Sequence, residues 1–317
     1  MGSYYGDLGW RRYAESSELG GGAVRYDSGA MTALAALHSE LLSIGSRYSG
    51  KWTYALTDLA TGEHISRDED DTMPAASLIK APILVALYQA VHDGRLALED
   101  RTTCREEHRT LGSGVLQRLS PGVEMSVRDA AVLMIIISDN VATNMCVDLV
   151  GIDAINTQMR RYGLEQTTLF CRWGDPSIDW SDGRNHNVST AGEMARLLEL
   201  IARHEAVSED ASEDMLRIMR RLDGRGELTR LLPWSELNTL PDYKNNWVAE
   251  KGGSFMTARC SGAIFHGARG HFVMSAFCEG GTGPGTGRAS EGNVILGELG
   301  FAAWQALAAD ASIVPIR

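Results

Sequence analysis

Residues 73–91 read Met73-Pro74-Ala75-Ala76-Ser77-Leu78-Ile79-Lys80 and continue as APILVALYQAV. From Ser77 onward the apolar residues Ile79, Ile83, Leu84, Leu87 and Val91 recur at helical spacing, which predicts a helix over 77–98 with its apolar face ending near Gly94. Pro82 has no N–H to donate and clashes with the preceding turn, so it is tolerable only near the helix start. Ser77 and Lys80 stand three positions apart and share one face of such a helix. A serine hydroxyl becomes a nucleophile when a base lies within hydrogen-bond reach. A lysine desolvated among apolar residues and beside other cations loses basicity and can be that base. The flanks Ala75-Ala76 and Ala81 to Leu87 point to a poorly solvated lysine. The competing reading is a capping serine followed by a solvated lysine.

Two more polar strings interrupt apolar surroundings. Ser138-Asp139-Asn140 follows the run Leu133 to Ile137. Three polar residues after five apolar ones are costly in a core unless each finds a partner. They form either a helix cap or a site in which a second hydroxyl relays a proton and an amide grips a substrate carbonyl. Lys251-Gly252-Gly253-Ser254 lies in a strand context. Glycines in a strand often mark close approach by a ligand or another backbone. The lysine could bind a carboxylate and the backbone N–H groups an oxyanion. An edge bulge with a solvated lysine is the alternative.

Around these strings the chain reads helix, strands, helical block, strands, helix. Leu34, Leu37, Leu41, Leu42 and Ile44 predict an opening helix over 31–44. Lys51 to Ser66 alternates, with Trp52, Tyr54 and Leu56 on one side, Thr53 and Thr57 on the other, and a turn at Thr61-Gly62. Residues 125–149 form a long apolar helical stretch broken at Ser138. Helices are expected at 153–162, 189–204 and 210–222, with a polar connection over 171–188. Trp247 to Glu250 and Gly262 to Phe277 read as strands, 279–293 as a glycine-rich loop, and 294–309 as a closing helix. The expectation is a flexible N-terminal arm (1–29) and one catalytic domain (30–317). Its sheet comes from about 50–70 and 245–280, with a helical block of about 75–225 inserted between.

The 317 residues carry 30 Lys+Arg against 41 Asp+Glu, a net charge of −11. That balance argues against nucleic acid and anionic membranes as partners, since both call for a basic footprint. The longest apolar run, Ala130 to Ile137, is far short of the roughly 20 residues that span a bilayer. Arg11-Arg12 is followed by polar rather than apolar residues and does not read as an export signal. Five scattered cysteines (Cys104, Cys146, Cys171, Cys260, Cys278) suggest reduced, mostly buried thiols. The expected location is cytoplasmic, or secreted if a signal segment has been removed. The eight histidines include no H-x-H or H-E-x-x-H pair, which argues against a zinc hydrolase, and no G-x-S-x-G elbow is present. Gly283 to Gly287 lacks the setting of a phosphate loop. No metal or organic cofactor is expected.

Ser-x-x-Lys, Ser-Asp-Asn and Lys-x-Gly in this order form the signature set of class A β-lactamases and penicillin-binding proteins. The chain resembles that serine-reactive family over roughly residues 30–309. Leu59 to Glu63, Met73 to Lys80, Met125 to Asn144, Leu231 to Pro233 and Val248 to Gly253 all carry the likeness. The resemblance implies an α/β fold with an antiparallel sheet flanked by helices and an all-helical subdomain. It implies that Ser77 attacks a carbonyl and Lys80 helps remove its proton. Ser138 would pass a proton to the leaving nitrogen, and Asn140 would position the substrate amide. Lys251 would support a substrate carboxylate, with Gly253 beside it and the N–H groups of Ser77 and Ser254 as the oxyanion hole.

The sequence departs from the family pattern twice. The stretch Arg172 to Asp179 lacks the glutamate that activates the deacylating water; Asp175 is the natural substitute, or else Asp175 and Asp179 serve a polar turn. Gly252 replaces the usual Thr or Ser, removing a hydroxyl that helps hold the substrate carboxylate. The expected function is β-lactamase-type cleavage of a cyclic amide through an acyl-enzyme, on a small, carboxylated amide or ester. Alternatives are an esterase, peptidase or acyltransferase acting on a small metabolite, and a penicillin-binding sensor that stays acylated. The sequence does not decide the oligomeric state.

Overall fold

The structure, a computed structural model, describes residues 33–179, 187–221, 226–233, 246–283 and 287–309. The expected arm over 1–29, Arg11-Arg12 and the centre of the 283–287 loop lie outside the described residues. In chain order the elements are α1 (Ala33–Gly45), β1 (Lys51–Asp58), β2 (His64–Arg67), β3 (Met73–Pro74), α2 (Lys80–His92), β4 (Arg101–Thr103), β5 (Glu124–Ser126), α3 (Val127–Ile136), α4 (Asn140–Val150), α5 (Ile152–Arg161), β6 (Val188–Ser189), α6 (Ala191–Ala202), α7 (Glu209–Met219), β7 (Trp247–Phe255), β8 (Ala258–His266), β9 (His271–Glu279) and α8 (Glu291–Leu307).

Five strands form one antiparallel sheet in the order β2-β1-β9-β8-β7. Strands from both ends of the chain therefore pair, Lys51 opposite Glu279 and Asp58 opposite Phe272. Side chains alternate across a strand, and both faces of this sheet are covered. Trp52, Tyr54 and Leu56 of β1 join Phe265, Phe272 and Met274 in a core sealed by α1 and α8. Ala55, Cys260, Ile264, Val273 and Phe277 face the other way, into the core of the helical block. This is the mixed α/β fold expected from the sequence. Thr53 is as fully buried as its neighbours, so the alternation in β1 separates two cores rather than a core from solvent.

Local chemistry explains the boundaries, including those that differ from expectation. The helix expected from Ser77 begins at Lys80, and Ala76–Ile79 is a separate 3-10 turn. Pro82 thereby becomes the third residue of α2, where its missing N–H would have had no intrahelical partner. The helix stops at His92, before Gly94 at φ +73°, a left-handed position that glycine takes without strain. The closing helix starts earlier than expected, at Glu291. Gly262 to Phe277 resolves into two strands around a turn closed by Gly267 N–H donating to the Gly270 carbonyl at 2.9 Å. Two small pairings, β3 with β6 and β4 with β5, involve two or three residues a strand, too short to show as alternation. The helical block therefore also carries strands.

The five cysteines are free and buried. No helix among the described residues is long and apolar enough to cross a membrane.

Candidate active site

The site forms where α2, the α3–α4 break and β7 meet. All but three residues of α2 are buried, as expected of a helix apolar on every side. That placement carries the first residue of α2, Lys80, to 0% exposure. Ala76, just before Ser77, sits at φ +41°, and Ser138 at φ +57°. Such conformations cost about 1–3 kcal/mol each and persist where the surroundings over-determine them.

The α3–α4 break presents Ser138 and Asn140 to this lysine. Asp139 caps α4, accepting from the N–H groups of Val141 at 2.9 Å and Ala142 at 3.0 Å. Its second carboxylate oxygen accepts from Val115 N–H at 2.7 Å and Leu116 N–H at 2.9 Å. One buried carboxylate thus pins the helix start to the 110–117 loop. Lys80 Nζ donates to the Ser138 carbonyl at 2.7 Å, Ser138 Oγ at 2.9 Å and Asn140 Oδ1 at 2.8 Å. Asn140 Nδ2 in turn donates to the Leu111 carbonyl at 3.1 Å.

From the sheet side, Lys251 Nζ donates to Ser138 Oγ at 3.3 Å and to the carbonyl of Gly252. Ser138 Oγ therefore lies between two lysines from different parts of the chain. Burial and the neighbouring Lys251 hold the Lys80 ammonium well below the usual lysine range, against the opposing pull of Asp139. Burial also lowers Lys251, while Glu227, Cys260 and Glu250 oppose that shift.

Gly253 is required for close approach. A Cβ built there would meet the backbone nitrogens of Ser77 and Leu78 and the sulfur of Cys260, each at 2.8 Å. The bare Cα lets β7 lie against the turn that carries Ser77. Ser77, Asn140, Ser254, Leu111, Trp173 and Phe255 line a cavity of about 500 Å³.

Ser77, Lys80, Ser138, Asn140, Lys251, Gly253 and Ser254 are thus brought together. Asp175 is placed differently: its Oδ1 accepts from the Ser177 N–H at 2.9 Å and the Ser177 hydroxyl at 2.6 Å. Those bonds hold its carboxyl below the usual carboxylate range, the polar-turn geometry that was the alternative. Trp173 of the same segment packs its ring against Lys80, with Nζ 4.9 Å from the ring centroid. Asn144 fixes the Trp173 backbone, accepting its N–H at 3.0 Å and donating to its carbonyl at 2.8 Å. Sequence reasoning singled out neither residue. Asn140 and Asn144 share a helix face at i,i+4 spacing, the one local signal that could have found the second.

The chain matches the model of the "Beta-lactamase enzyme family" over residues 36–307. It belongs to the beta-lactamase enzyme family. The structure of a beta-lactamase from Sphaerobacter thermophilus is 26% identical, with a TM-score of 0.73, covering 85% of this chain and 96% of the other. The structure of PBP-A is 27% identical, also with a TM-score of 0.73, over 86% of this chain and 96% of that one. A PBP-A mutant solved as an acyl-enzyme complex with penicillin G superposes with a TM-score of 0.72, at 27% identity, 86% of this chain and 96% of its own. Beta-lactamase L2 of Stenotrophomonas maltophilia is 28% identical over 102 residues, 32% of this chain and 33% of that protein, so the match spans about a third of the curated relative. Family and fold are those of the β-lactamases.

Proposed function

We propose that this family member cleaves a small cyclic amide or activated ester through an acyl-enzyme on Ser77. The supporting observation is Lys80: fully buried, bonded to Ser138 and Asn140, and shifted toward its neutral form. On losing a proton the amine keeps two of its three hydrogen bonds, to the Ser138 carbonyl and Asn140 Oδ1, and gains a lone pair for the Ser77 proton. As the Ser77 oxygen bonds to the substrate carbonyl carbon, that proton passes to Lys80. The N–H groups of Ser77 and Ser254 receive the charge developing on the carbonyl oxygen. Ser138 then gives its proton to the leaving nitrogen and is reprotonated from Lys80, which returns the amine to its neutral state. Lys251 holds Ser138 from the other side and offers a cation to a substrate carboxylate.

Acylation is better equipped than deacylation. The segment expected to supply the base for the second water presents the Trp173 indole to Lys80, while Asp175 is bonded to Ser177. This favours, as a second reading, a penicillin-binding protein that remains acylated for long periods. PBP-A, whose mutant was captured as an acyl-enzyme, is consistent with either reading.

Intact-mass spectrometry with benzylpenicillin tests both. The expected result is a one-to-one adduct that decays slowly and is absent from Ser77→Ala. No adduct and no Ser77-dependent turnover of any ester or amide would overturn the serine-hydrolase reading. Fast turnover abolished by Asp175→Asn would make Asp175 the deacylation base after all.

A further inference from the structure

Lys251 and Gly253 both face the Ser77 side of β7, and Gly252 between them faces the opposite side. The space outside Gly252 is filled. A Cβ built there would land on the carboxylate of Glu227, whose Oε2 is the nearest atom. Glu227 comes from the segment 226–233, which packs on the outer side of β7. Its neighbour Glu250 is fully engaged, accepting from the Ser261 and Thr229 hydroxyls and, at 3.0 Å, from the Leu228 N–H. Among the described residues β7 is the edge strand of the sheet, so a ligand docked along that edge meets Lys251 on one face, with the carboxyl seated on Gly252 across the strand and within electrostatic reach of that lysine.

We propose that Glu227 sets the charge specificity of the cleft: its carboxylate competes with a substrate carboxylate for Lys251, so neutral amides and esters are preferred to carboxylated ones. The inference rests on the Ser77 acylation reading above. A hydroxyl-bearing residue at 252 would present a hydrogen-bond donor to an anion; here the same volume holds an acid. The charged and titratable groups facing Glu227 are Glu250 and Lys251 of β7 and Arg259 and Cys260 of β8. Burial and Glu250 raise the Glu227 carboxyl to about 7, against Lys251 and Arg259. Below that pH the acid is neutral, the competition lifts, and Lys251 is free to attract an anion.

The test compares benzylpenicillin with its methyl ester, which differ in the carboxylate alone. Second-order acylation rates are measured by intact mass from pH 5.5 to 8.5, in the unmutated protein and in Glu227→Gln. In the unmutated protein the acid-to-ester rate ratio is expected to fall as pH rises through about 7. Glu227→Gln is expected to raise the ratio at pH 8 by about tenfold, the effect of removing one nearby like charge, and to flatten its pH dependence. The pH series in the unmutated protein stands even if the variant folds poorly. Equal ratios at all pH values, or the same ratio in both proteins, overturn the inference and leave the serine reading intact. No Ser77 adduct from either compound overturns both.

Discussion

In the proposed reaction Lys80 concentrates the chemistry of the site into one side chain, and its behaviour follows from desolvation. Moving an ammonium from water to a buried position beside a second lysine favours the neutral amine. The acylation rate toward a neutral ester should therefore rise with pH and level off well below the ordinary lysine range, as a pH–rate profile would show. Replacing Lys80 with Met removes the proton acceptor, and acylation should fall about a thousandfold, within the range for general-base catalysis. Gly253 makes a second residue-level prediction. Gly253→Ala forces β7 away from the Ser77 turn, because the new methyl meets two backbone nitrogens and a sulfur at 2.8 Å. Oxyanion donors act over tenths of an ångström, so a loss of about a hundredfold in acylation is expected. The family motif singles out this glycine, but only the packed strand shows what it touches.

At the scale of elements, the break between α3 and α4 does most to build the site. An apolar run followed by Ser-Asp-Asn reads equally as a cap or a catalytic string, and in the structure the cap stands beside bonds to the buried lysine. Asp139 caps α4 and tethers the 110–117 loop, while Ser138 and Asn140 turn toward Lys80. Asp139→Ala leaves four backbone donors without their acceptor and should destabilise the fold by about 3 kcal/mol in urea unfolding. Asp139→Asn keeps an oxygen for one side and turns an amide on the other, so it should cost less stability while still loosening the loop that carries Leu111. Capping was legible because it depends on near neighbours. The tether to Val115 and Leu116 was not, because it joins residues 23 and 24 positions away.

On the scale of the whole molecule, the strands at the two ends of the chain close one sheet, with the helical block inserted between them. That closure buries Glu250 and half-buries Glu227 behind β7, where the sequence shows only two ordinary acidic residues. A carboxyl whose folded-state value is raised from 4.5 to about 7 binds its proton more tightly in the folded than in the unfolded protein. Its contribution to stability is full below the unfolded value and is lost as pH rises toward 7. The melting temperature of the unmutated protein, measured relative to Glu227→Gln, should therefore drop by a few degrees between pH 4.5 and 7.5. A pH-independent difference would place the Glu227 carboxyl in an ordinary, solvated setting. The net charge of −11 gives no hint of this, since it averages over groups that the fold separates.

The sequence by itself determined the Ser-x-x-Lys string that the proposed reaction uses, the α/β class and the family. Helical and strand periodicities, caps and three-residue spacings are short-range, and the chain carries them openly. Only the tertiary structure decided that Ser138 stands between two lysines, 58 and 113 residues away. Only it turned Asp175 onto Ser177, set Trp173 over Lys80 and seated Glu227 on Gly252. Proton affinity depends on which distant groups take water away and which charges replace it, and that is fixed when the chain closes on itself.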